Sequence, residues 1–210
     1  MAFSDAFKRP FQDFKSLVIG IVIMLIPIVN FIGIGYLLNC AKSAVRRDYK
    51  LPVWGNWLDL FINGIVALVI GIIYMIPAMI VFALTIGFTI LSGNYSALMG
   101  GNVMTLIPML ATAGIGMLVT VVVGIIFWLL GSAAIVRYAE KGNFGAAFEL
   151  RAIAKKAFTG AYFAAWLVGT IYALVLGAIL SFIPFLGSAI ASFICGVTMM
   201  TLIAEAYGKV

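Results

Sequence analysis

The sequence predicts an all-α fold: a polytopic transmembrane helical bundle of four full spans, with an N-terminal re-entrant or short helical hairpin. Three observations lead there. The chain of 210 residues is 65% hydrophobic and 10% charged, with mean hydropathy +1.21. A soluble domain of this size needs a far larger charged surface, so the bilayer must be the solvent for most side chains. The apolar runs have the length of membrane crossings, about 20 residues each. Finally, the thirteen Lys and Arg fall in clusters. No Lys or Arg occurs between Lys50 and Arg137, or between Lys156 and Lys209. The length fits one integral membrane domain over 1–210.

The clusters set the topology. Lys8, Arg9 and Lys15 precede the first apolar run, and Lys42, Arg46, Arg47 and Lys50 follow it. A third group runs from Arg137 to Lys156, and Lys209 stands near the end. Cytoplasmic loops collect Lys and Arg, so every cluster is expected in the cytoplasm. Both termini then face inward from a multi-pass position in the cell membrane. The start does not read as a cleavable signal, because no small-x-small site follows the basic residues.

Residues 1–15 read as an interfacial helix. Phe3, Phe7, Phe11 and Phe14 recur at helical spacing, with Lys8, Arg9 and Lys15 elsewhere on the wheel. Such a helix lies on a leaflet with rings in the acyl boundary and cations among headgroups, here bent at Pro10. Residues 16–45 are too many for one untilted crossing and too few for two. Two short helices meeting at Ile26-Pro27-Ile28 keep both flanking basic clusters on one side; one long tilted helix is the rival. Proline removes a donor and turns the preceding residue away from helix, which makes Pro27 the candidate turn. Asn30, just beyond it, caps a helix or completes a small cavity; the cap is favoured.

A second interfacial segment, LPVWGNWLDLF over 51–61, places Trp54, Trp57 and Phe61 on one helical face as anchors at headgroup depth. Spans follow at 64–91 and 103–136, joined by the uncharged loop 92–102. Phe144, Phe148 and Phe158 mark a third interfacial stretch, in which Arg151 and Lys155 would have to snorkel. Two more spans occupy 160–207, turning at Ile183-Pro184-Phe185. The stretch YLLNCAKSAVRRDYK sets against WLLGSAAIVRYAEKG, which suggests a parallel duplication with repeat-like halves at 16–91 and 103–207.

The residues exclude much chemistry. Histidine is absent, which removes the commonest zinc ligand and neutral-pH base. No P-loop, HExxH, paired-cysteine or dinucleotide motif occurs, so no catalytic residue, metal or cofactor is expected, and no nucleic acid as partner. Cys40 and Cys195 sit in apolar runs as small packing residues. All seven acids lie near predicted interfaces, whereas an ion-coupled pump keeps an ionisable group at membrane depth.

Small residues are the distinctive intramembrane pattern. Ala161, Ala165, Gly169, Ala173, Gly177 and Ser181 recur at every fourth position, and Thr112, Gly116, Thr120 and Gly124 form a shorter stripe. Such stripes let helix backbones approach closely. Packing within the chain is favoured over packing between subunits.

The segments PFQDFKSLVIGIVIMLIPIVNFIGIGYLL, LPVWGNWLDLFINGIVALVIGIIYMIP and RYAEKGNFGAAFEL resemble a prokaryotic, largely archaeal family of polytopic membrane proteins, catalogued as domain of unknown function four-zero-one-three. The resemblance covers nearly the whole chain, and Leu-Pro-x-Trp-x-x-Trp is its most specific part. It implies the fold and supplies no activity. The expected function is therefore a non-enzymatic membrane protein, partnered by the lipid bilayer, that forms a homo-oligomer or joins other membrane subunits. A channel or uncoupled pore for a small ion or solute is the alternative, motivated by the broken helix at Pro27.

Overall fold

The computed structural model describes residues 3–89 and 103–209. No strand occurs among them. Eight α-helices follow in order: α1 (Phe3–Lys8), α2 (Phe14–Leu25), α3 (Asn30–Val45), α4 (Trp57–Thr89), α5 (Val103–Lys141), α6 (Leu150–Ala157), α7 (Gly160–Leu180) and α8 (Leu186–Lys209). Short 3-10 turns occupy Arg9–Phe11 and Phe144–Phe148. Four stretches are long and apolar enough to cross a membrane: Trp57–Thr89, Ala113–Lys141, Gly160–Leu180 and Leu186–Lys209. The linker 92–102 read from the sequence lies outside the described residues.

The chain forms two compact units. The first joins Met1–Gly71 to Ser132–Val210, and the second is Ile72–Gly131. The first is organised around α8, whose spanning window is 56% buried, against 17% for α7. Apolar side chains alone cannot explain such tight packing in a membrane, where lipid is as apolar as leucine; close backbone approach can. Glycines supply it. A Cβ at Gly20 of α2 would sit 2.1 Å from the Phe193 ring, and one at Gly196 would sit 2.5 Å from Leu37. Tyr36, Leu37, Cys40, Phe193 and Val197 form the buried cluster where α3 meets α8.

Helix α4 crosses α3 backbone against backbone. A Cβ on Gly35 would lie 1.9 Å from the Leu60 carbonyl oxygen, and one on Gly64 would lie 1.9 Å from that of Phe31. Phe31 and Phe61 meet edge-on at the same crossing. In the second unit α4 and α5 are antiparallel neighbours: Gly116 is closed by Thr85, Gly124 faces Ala78, and Gly131 faces Tyr74.

Both proline turns reverse the chain. Helix α2 ends at Leu25 and α3 begins at Asn30, with Ile28 in the left-handed region at φ 73°. Helix α7 ends at Leu180 and α8 begins at Leu186, with Phe185 at φ 59°. Each proline is thus followed by a non-glycine residue of positive φ, a conformation that costs roughly 1–2 kcal/mol for a side chain bearing a Cβ.

Three local expectations are corrected. Residues 51–61 are not one helix: 51–56 is irregular, and α4 starts only at Trp57 after Asn56, whose φ is +48°. Pro52 and Gly55 explain this, being poor helix formers immediately before the start. The initial Phe3–Phe14 run is also divided, into α1, a 3-10 turn through Pro10, and α2 capped by Asp13. Asn30 does not cap α3; Val29 holds the cap position without a side-chain bond. The Asn30 Oδ1 is instead buried without a hydrogen-bond partner.

Candidate functional site

Arg9 dominates the polar chemistry of the first unit. It was expected among headgroups but is fully enclosed, at 0% exposure. Pro10 tightens the chain into a 3-10 turn, which presents the guanidinium inward between α3 and α8. Nη1 donates to the Cys40 carbonyl and to Thr201 Oγ1, both at 2.9 Å. Nη2 donates to Ser43 Oγ at 2.5 Å, to the Lys50 carbonyl at 2.9 Å and to the Asp48 carbonyl at 3.4 Å. These acceptors are neutral oxygens, and Nε has no partner. Burial pulls the Arg9 pKa below its ordinary value, opposed by neighbouring groups that include Asp48. An arginine nevertheless stays charged, so the fold encloses a cation without a carboxylate against it.

Other basic residues gather at the same end of this unit. Arg137, at the end of α5, donates to Tyr207 Oη at 3.1 Å and pairs with Glu149. Lys156 donates to the Tyr207 carbonyl at 3.0 Å and lies over its ring. Lys209 pairs with buried Glu205. The Tyr162 and Ser132 hydroxyls share a hydrogen bond of 2.9 Å beneath them. The ends of α3, α5 and α8 and the start of α7 are therefore tied together by polar bonds.

The sequence-derived anchors divide. Phe11 and Phe14 are exposed, whereas Phe7 meets Tyr172 of α7 edge-on at 4.9 Å. The Phe3 side chain lies outside the described residues. Trp54 stacks on Tyr36, with centroids 3.8 Å apart and planes 5° apart, and its ring also neighbours Trp57 and Phe193. Trp57 remains exposed. No sequence signal announced the stack, because Tyr36 and Trp54 lie on opposite sides of the second basic cluster.

The small-residue stripe on α7 is used over part of its length. Ala165 and Gly169 are buried, and Gly169 meets Met199 of α8. Ala161 and Ser181 are exposed, Ala173 is half-buried, and a Cβ at Gly177 would meet nothing within 4 Å. On the shorter stripe, Gly116 and Gly124 face α4; the Thr112 side chain lies outside the described residues. Pro27 and Pro184 sit in the two turns.

Cys40 and Cys195 are free and buried. Among the described residues no group of His, Cys, Asp or Glu is arranged to hold a metal. A family model described as "Protein of unknown function (DUF4013)" matches residues 18–185. No curated protein and no solved structure matches the chain.

Proposed function

The chain belongs to that family, DUF4013, and from this premise we propose that it is a non-enzymatic membrane component that assembles with a second copy of itself or with other membrane subunits. The supporting observation is the face left by α4 and α5. Only 22% of the spanning window of α4 and 6% of that of α5 are buried. Within this surface a Cβ at Gly87 or Gly114 would meet no described residue within 4 Å. A bare glycine offers lipid little contact but lets another helix come close, which is how membrane helices associate.

The test is particle mass in a mild detergent, for the parent and for Gly87→Leu with Gly114→Leu. Leucine at either position meets no described residue, because a Cβ there has none within 4 Å. The parent is expected to run as a multiple of its 22.5 kDa mass, or with co-purifying subunits, and the double variant as a monomer. A strictly monomeric parent without companions overturns the reading.

We place the basic end, with both termini, on the cytoplasmic face of the cell membrane, following the positive-inside rule. An Asp5→Cys variant in intact cells should then resist an impermeant maleimide. Pore activity is the second reading, favoured by the α2–α3 break. Helix α2 has 12 residues, or about 18 Å, which is short of the roughly 30 Å hydrocarbon core. The hairpin is then re-entrant, and the buried unpartnered Asn30 Oδ1 lies just past its turn. Broken helices at membrane depth line cavities or are covered by protein. Ion or solute flux through reconstituted liposomes decides it: no movement removes the pore.

A further inference from the structure

Between the start of α2 and the stretch from Lys50 to Trp57, where α4 begins, lies a cavity of about 520 Å³. That is within the range of small-ligand clefts, about 300–1,000 Å³. One part of its wall carries Lys15 and Lys50, both exposed and neither in an ion pair among the described residues. Another part is apolar: Ile19, Val53 and Trp57, of which Val53 is 91% exposed. Trp54 adds an inner wall whose indole Nε1 is buried without an acceptor.

The single acid in the wall is already engaged. Asp13 accepts from the Lys15 and Ser16 amides at 3.1 Å each and from Ser16 Oγ at 2.6 Å, which caps α2. Arg9 stands directly behind Lys50, bonded to its carbonyl and in no ion pair among the described residues; the Asp48 carboxylate nearby accepts from the Lys50 amide. Cationic charge around the cavity therefore exceeds anionic charge, and part of it sits in a low-dielectric wall where its field is weakly screened.

We propose that this cavity binds the phosphate of an anionic phospholipid, with Lys15 and Lys50 on the headgroup and Ile19, Val53 and Trp57 along the start of the acyl chains. Charge-assisted bonds from ammonium groups to phosphate supply the recognition. Basic pockets at headgroup level select anionic lipids for the same reason. The apolar wall favours a lipid over a free phosphate ion, which has nothing to place there. Arg9 is too enclosed to touch the ligand and acts through its charge. The inference does not depend on self-assembly.

The test uses the full chain in neutral detergent, titrated with phosphatidylglycerol or phosphatidylcholine bearing brominated acyl chains, which quench nearby tryptophan. Phosphatidylglycerol is expected to quench at a much lower mole fraction. The double variant Lys15→Gln, Lys50→Gln should raise its half-saturating fraction roughly thirtyfold, from about 1 kcal/mol per lysine. Lys155→Gln, on α6, should leave it unchanged. Protection of Cys40 from alkylation confirms that each variant is folded. Equal quenching by the two lipids, no change in the double variant, or the same loss in Lys155→Gln overturns the site. Relief of quenching by millimolar inorganic phosphate reassigns it to a soluble anion and overturns the lipid.

Discussion

Replacing Arg9 by methionine is the sharpest test of how the first unit is held together. Methionine is close in length but carries no donor and no charge. Four of the lost bonds are 3.0 Å or shorter: those to the Cys40 carbonyl, Thr201 Oγ1, Ser43 Oγ and the Lys50 carbonyl. Two effects oppose each other. Enclosing a cation without a carboxylate costs several kcal/mol, which methionine avoids. Hydrogen bonds to a charged group contribute about 1.5–3 kcal/mol each, a net figure that already contains desolvation. At the low end four such bonds come to about 6 kcal/mol. Two acceptors recover part of this: the Cys40 carbonyl keeps Ser43 Oγ as a donor, and Thr201 Oγ1 keeps its own bond to Val197. The Lys50 and Asp48 carbonyls have no second hydrogen bond among the described residues. The expected loss is therefore about 3 kcal/mol, with the bonds outweighing the desolvation.

Cys40 reports this loss directly, because it is fully enclosed beside the guanidinium. Its alkylation in mild detergent, read by peptide mass mapping so that Cys195 is scored separately, should accelerate somewhat over a hundredfold, about a factor of ten per 1.4 kcal/mol. Arg9→Lys should fall between, at roughly tenfold, because a compact ammonium with three donors cannot serve acceptors spread over two helices and a loop. Labelling of Arg9→Met within threefold of the parent would refute the reasoning and leave Arg9 a passive resident of the core.

Other expectations follow from single contacts. Gly35→Ala and Gly64→Ala should each strip the α3–α4 crossing and raise Cys40 labelling, whereas Gly71→Ala should not, since its Cβ meets open space; equal effects at all three positions would contradict the crossing. Ile28→Gly should stabilise the chain by about 1 kcal/mol in reversible unfolding, because Ile28 has φ 73° and its side chain is 68% exposed; a loss of stability would show that the turn needs the side chain. The Ser16 hydroxyl holds the Asp13 carboxyl below its ordinary pKa. A depressed carboxyl contributes stability above its unfolded value near 4 and loses it as pH falls through the lower folded value. Hydrogen exchange in the first turn of α2, corrected for intrinsic rates, should thus stay flat from neutral pH to about 4 and rise only below. Fraying that begins at pH 5 or above would contradict this.

What the sequence by itself determined is one-dimensional. Hydropathy over windows of membrane length marks the four spans, because the bilayer imposes the same requirement on every crossing wherever its neighbours lie. Proline marks both reversals, because its missing donor and the restriction on the preceding residue are local. What only the tertiary structure decided is which residue meets which. Arg9 and Lys8 are adjacent and both cationic, yet only Arg9 finds oxygen acceptors from α3, α8 and the loop after α3 and goes inside. Trp54 has the composition of an interfacial anchor and becomes a stacking partner, because Tyr36 from another helix is brought against it. Gly35 and Gly71 look alike in an apolar run, but a second backbone fills the space beside one, while no described residue stands beside the other. Burial of a charge, a ring or a bare Cα is a property of the surrounding elements, and a single stretch of chain does not contain it.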